Sequence, residues 1–163
     1  MRRFNKISPN IWMPGRFSQL PSQDAKFLHL YLLTCSHQNI AGCFVLRDGY
    51  ATADLDWAIE KYQIARQQVM DGDLISFDAA TSEIFVHGWF RHNPPMNAPH
   101  KLGIERQIAC VQSGALRKLA EEELSEVCEA IPRGEIKISN PRSSFGGANR
   151  PDLRSTRHLT EGK

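Results

Sequence analysis

The sequence has no apolar run near the roughly 18 residues that a membrane helix needs. Its longest candidate, residues 27–35, is interrupted by His29. The start is basic, yet no apolar stretch follows it, so no secretory leader is read and a cytoplasmic, membrane-free protein is expected. Cys35, Cys43, Cys110 and Cys128 stand far apart without a CxxC pair. They read as small buried hydrophobes with free thiols. Two His/Cys/Asn groupings, one around His87, His92 and His100 and one around Cys35, His37 and Cys43, lack the paired spacing of a zinc site. No GxxxxGK[ST], GxGxxG or GxSxG motif occurs. The acid pairs Asp54/Asp56 and Asp71/Asp73 fall at helix ends and turns, where carboxylates serve as caps. No cofactor, no metal and no catalysis are therefore expected.

Also missing is a large net charge: 20 Lys and Arg face 18 Asp and Glu, for a formal +2. A nucleic-acid partner is not announced by that total, but the distribution is uneven. Arg2, Arg3, Lys6 and Arg16 occupy residues 1–20 with no acid among them. Beyond Arg133, Arg142, Arg150, Arg154 and Arg157 outnumber the acids. Acids gather in the middle, most densely at Glu121, Glu122 and Glu123.

Hydropathy patterning divides the chain. Residues 1–20 form an irregular lead-in, rich in turn formers, with Trp12 and Phe17 as anchors to the core. Ser22 begins a mostly buried helix that runs to about Ser36. Cys43, Phe44, Val45 and Leu46 make a short strand after the break at Asn39–Gly42. A turn at Arg47-Asp48-Gly49 precedes a short helix over 50–55, and a third helix covers 57–71. At 100° per residue Ala58, Tyr62, Ala65 and Val69 share its inner face, with Glu60, Ile64, Gln67 and Asp71 opposite. Two strands, 74–78 and 83–89, flank the loop Ala79-Ala80-Thr81-Ser82. This order, helix, strand, two helices, hairpin, predicts an α+β, mostly α, winged helix-turn-helix over 21–92. A Pro-rich connector at 93–98, a helical extension at 99–131 and a disordered basic tail at 132–163 complete the chain.

Particular words carry a family resemblance: Ile11-Trp12, Leu20-Pro21, Asp24-Ala25-Lys26, Leu30 through Thr34, Asn39 through Gly42, Leu74 through Asp78, and Trp89-Phe90-Arg91-His92-Asn93-Pro94-Pro95. Over about residues 4–105 the chain resembles phage-encoded replication-initiation, or replisome-organiser, proteins with an N-terminal winged helix. The resemblance implies DNA binding during replisome assembly, with a host helicase or helicase loader as protein partner. Two departures add negative charge: Asp56 stands where such proteins often have glycine, and Asp71 and Asp73 bracket Gly72.

The candidate DNA-binding residues follow from chemistry. Lys61, Gln63, Gln67 and Gln68 line the polar side of the third helix, with Arg66 at its edge. Gln can read adenine edges, and Arg can read guanine or grip phosphate. Glu60 and Asp71 work against phosphate there. Thr81 and Ser82 offer hydroxyls from the wing, and Arg2, Arg3 and Lys6 form a basic arm. Single- or double-stranded DNA is thus the expected ligand, and a homo-oligomer is compatible with the pattern. Two other readings stay open: a transcription regulator on the same fold, and a module recruiting a helicase or loader without touching DNA.

Overall fold

In the computed structural model, residue 5 and residues 7–136 are described. Arg2, Arg3, Lys6 and the tail arginines from Arg142 onward lie outside them. The fold is α+β and mostly helical. After a 3-10 turn at Pro9–Trp12 come α1 (Gln23–Thr34), β1 (Cys43–Val45), α2 (Asp48–Leu55), α3 (Ile59–Asp71), β2 (Ile75–Asp78), β3 (Glu83–Val86), α4 (Trp89–His92), α5 (Ala98–Ala109) and α6 (Gly114–Ala130).

Local chemistry accounts for most boundaries. The Ser22 hydroxyl accepts from the Ala25 N–H at 3.0 Å, opening α1 as its sequence predicts. The helix ends at Thr34 because Cys35 turns to extended backbone. Phe27, on the outer side of α1, is exposed rather than buried. In the lead-in Phe17 is the buried anchor, whereas Trp12 is 65% exposed and meets the Phe17 ring edge-on at 5.3 Å. Trp12 is therefore a cover on the core rather than part of it.

The Asn39 amide shapes the entry to β1, donating to the Cys43 carbonyl at 2.6 Å and accepting from Ala41 N–H at 2.9 Å. Gly42 follows with φ +66°, and a Cβ there would lie 2.3 Å from Cγ of Trp89. Only glycine satisfies both the left-handed backbone and the close approach of the indole.

β3 is central in an antiparallel sheet of order β1-β3-β2, pairing Phe44 and Phe77 with Ile84 from either side. All four of its residues are buried, so the sheet is covered on both faces. On one face Ile84, Val86, Phe44 and Ile75 join Leu28 and Leu32 of α1 and Tyr62, Ala65 and Val69 of α3. On the other, Cys43 and Phe85 join Trp89 and Phe90 of α4, Ile104 and Ile108 of α5, and Leu116, Ala120, Leu124 and Val127 of α6. The predicted helical extension is thus the second outer layer of a three-layer body.

Three details differ from the sequence pattern. α3 begins at Ile59, so Ala58 is an exposed capping residue outside its inner face. The second hairpin strand, predicted to run to Trp89, ends at Val86, and residues 89–92 coil into one helical turn before Pro94 and Pro95. Residues 131–136 form a turn, with Ile136 packed on the second core, so the chain stays folded past Pro132. Of the cysteines, Cys35 and Cys43 are buried, Cys128 is half-buried and Cys110 is exposed; all four thiols are free. Burial, reinforced by the Glu83 charge, pushes the Cys43 thiol up to about 12.

Asp56, between α2 and α3, has φ 53° and ψ 46°. An L-residue in this region is strained, least so Asp and Asn. Asp56→Gly is expected to stabilise the fold by about 0.5 kcal/mol, the relief of strain being partly offset by glycine's greater unfolded freedom. Chemical denaturation checks this, and destabilisation by the variant would contradict it.

Candidate nucleic-acid interface

α3 packs inward through Tyr62, Ala65 and Val69, and its outer strip of Glu60, Gln63, Ile64, Gln67 and Asp71 is exposed. The β2–β3 hairpin stands beside it. α5 and α6 pack on the opposite face of the sheet and leave α3's outer strip exposed; of the hairpin, Ala79 and Ala80 at the turn are exposed, whereas Glu83 through Val86 are buried.

Each predicted α3 residue has an intramolecular partner. Lys61 Nζ lies 2.9 Å from Asp24 Oδ1 and 4.3 Å over the Trp57 ring. Arg66 pairs with Asp48, stacks 3.8 Å over the Phe77 ring, and is only 12% exposed in its side chain. It ties α3 to α2 and to the hairpin. Gln63 Nε2 donates to Asp48 Oδ2 at 3.3 Å, and Gln67 Nε2 donates to Asp71 Oδ1 at 2.8 Å. Gln68 accepts from the Ser22 hydroxyl and is half-buried. Lys61, Gln63 and Gln67 present polar atoms to solvent, while Arg66 and Gln68 hold the helix to its neighbours.

The hairpin loop offers little positive charge. The Thr81 hydroxyl oxygen is buried without a hydrogen-bond partner. Ser82 has φ 55°, and its carbonyl accepts from Leu46 N–H at 2.8 Å. Asp78 Oδ1 accepts from Ala80 N–H at 2.9 Å, closing the turn.

Arg47 escaped the sequence reading, which treated it only as a turn residue. It is exposed and makes no ion pair among the described residues. Leu46 before it is bonded to the hairpin loop, and Asp48 after it to Gln63 and Arg66 of α3. A cation at the junction of helix and hairpin is where phosphate contact is chemically natural. Its basic type beside a predicted helix start was the only available signal.

The acidic cluster on α6 is smaller than its sequence suggests. Glu121 and Glu122 face solvent, but Glu123 turns inward and accepts from Gly88 and Phe90 N–H, both at 2.8 Å. Burial pushes its carboxyl up from the ordinary value against those two bonds. His87, in one of the groupings weighed as a metal site, instead contacts Asp73 Oδ1 at 3.0 Å and Ser76 Oγ at 2.8 Å. Among the described residues no group of three or more His, Cys, Asp or Glu side chains converges as a metal site would require. No helix among them is long and apolar enough to cross a membrane.

No protein-family model, curated protein or solved structure matches the chain.

Proposed function

We propose that the chain is a winged-helix DNA-binding protein of phage or prophage type that helps assemble a replication-initiation complex. The observation carrying this reading is that α3's polar strip is exposed, together with the turn residues Ala79 and Ala80 of the β2–β3 hairpin. The second helical layer, which had the size to cover them, sits on the far face of the sheet. The winged-helix part of this reading is supported by the element order α1-β1-α2-α3-β2-β3 and the sheet order β1-β3-β2. In this reading Gln63 and Gln67 face the groove and Arg47 holds a phosphate. The arm residues Arg2, Arg3 and Lys6 add salt-dependent affinity.

Fluorescence anisotropy on labelled single- and double-stranded oligonucleotides at low salt tests it. Binding in the micromolar range is expected for at least one form. Arg47→Ala should weaken it and flatten the slope of log K against log salt by about 0.9 on duplex. Absence of binding to both forms at micromolar protein would remove the proposal.

A second reading is favoured by one feature of the same face: Ile64 is 61% exposed at its centre while Lys61 and Arg66 are neutralised by Asp24 and Asp48. Such a surface suits a protein partner, a helicase or its loader. Capture of that partner after nuclease treatment, abolished by Ile64→Asp, would select it over DNA docking.

A further inference from the structure

Ile136, the last of the described residues, packs on the second core beyond the C-terminal end of α6. Two grooves there share Glu129. One is lined by Ile136 itself together with Glu126, Glu129 and Glu135. The other, of about 420 Å³, lies between α5 and α6. Its floor is apolar, with Ile108 and Leu124 buried and Cys128 half-buried. Its walls carry Glu105, Glu121 and Glu129 against one cation, Lys101. Lys101 already meets Glu105 at 3.6 Å. Glu121 and Glu129 are exposed and meet no cation among the described residues. Carboxylates without ion partners above an apolar floor suit a basic segment that also carries apolar side chains.

The chain itself supplies one. Residues 137–150 carry Lys137, Arg142 and Arg150 with no acid, and Ile138 and Phe145 as large apolar side chains. Fully extended, residues 137–145 span up to about 30 Å. The α6 stretch from Glu129 back to Glu121 is only about 12 Å long. The segment leaves from Ile136, in the groove that Glu129 also lines, so it reaches the α5–α6 groove with length to spare. Exposed ion pairs are weak one by one. A tether within one molecule sets an effective concentration in the millimolar range, at which a weak contact is populated.

We infer that residues 137–150 lie back along α6, with Ile138 and Phe145 on the groove floor and Arg142 toward Glu121 and Glu129. The α5–α6 face is then an autoinhibitory counter-surface, holding basic side chains that are otherwise open to phosphate. The contact stands without the DNA reading; its inhibitory consequence rests on that reading.

Paramagnetic relaxation in the full chain tests the contact. A nitroxide is attached at Ser144→Cys in a chain that also carries Cys110→Ser and Cys128→Ser. At low salt the amide signals of Glu105, Glu121, Ser125 and Glu129 should lose more than half their intensity, while those of α3 keep most of theirs. Glu121→Lys with Glu129→Lys, both exposed changes, should abolish the loss. The inference is overturned if no loss occurs at low salt, or if the loss is the same in the double variant. Equal loss in a mixture of spin-labelled chain and ¹⁵N-labelled chain without the nitroxide assigns the groove to a second copy, and overturns it too. Fluorescence anisotropy reads the consequence: Glu121→Gln with Glu129→Gln should raise duplex affinity about threefold at low salt. Unchanged affinity in that variant removes the inhibitory role. A parent chain that binds no DNA removes the DNA reading and the inhibitory role together, and the relaxation result still decides the contact.

Discussion

Replacing Glu83 by alanine is expected to lower the unfolding free energy by about 3 kcal/mol, the cost of leaving the buried Ser113 N–H and the part-buried Gln112 N–H without their charged acceptor. Glu83 is 4% exposed on the central strand. Its two carboxylate oxygens accept from Gln112 N–H at 2.9 Å and Ser113 N–H at 2.7 Å. Those groups lie at the start of α6, where backbone donors lack helical acceptors and the helix dipole is positive. Alanine removes the anion and leaves the Ser113 donor buried without an acceptor. For a chain of this size the melting temperature should fall by roughly 8–15 °C. Glu83→Gln keeps one acceptor oxygen and should lose less than half as much. Calorimetry or guanidinium unfolding reads the difference, and a loss below about 1 kcal/mol in the alanine variant would show that solvent replaces the carboxylate.

Acid should weaken the fold through His29 before most carboxylates titrate. Its ring is lowered from 6.5 to about 4 in the folded chain. Below the unfolded value the open chain takes up a proton that the native state refuses. Stability is therefore intact above pH 6.5, declines as pH falls, and has lost about 3 kcal/mol from this group near pH 4. Glu123 acts in the opposite direction, because its raised carboxyl favours the fold most where it is protonated. Comparison with His29→Leu isolates the imidazole. The variant should match or exceed the parent at pH 7 and show a much flatter stability profile between pH 6.5 and 4. Parallel profiles for the two proteins would place the acid sensitivity elsewhere.

Much of the inner architecture was legible because it is written at short range. The 100° spacing of Tyr62, Ala65 and Val69 identified α3's inner face, and Ser22 and the 79–82 loop marked element ends. What escaped the sequence depends on partners far along the chain. Glu83 looked like one more strand residue and Glu123 like part of a solvated acidic patch, yet each holds backbone about 30 residues away. The α4 turn is too short for helical periodicity and is held by Glu123 from outside. Gly72 caps the end of α3, and the left-handed conformation falls on the next residue, Asp73 (φ 54°). Gly72 is glycine because a Cβ would sit 2.9 Å from Leu20 Cδ2. At the candidate interface, periodicity foretold the exposure of Lys61, Gln63 and Gln67. It held no information on Asp24 and Asp48, which engage Lys61 and Arg66 from other helices.

The two inward carboxylates run in opposite directions: Glu83 reaches from strand to helix, and Glu123 reaches back from helix to the segment leaving the strand. Reciprocal tethering of this kind leaves no slack for one layer to slide over the other. Load applied to the start of α6 is thereby expected to pass through Glu83 to the hairpin's inner strand.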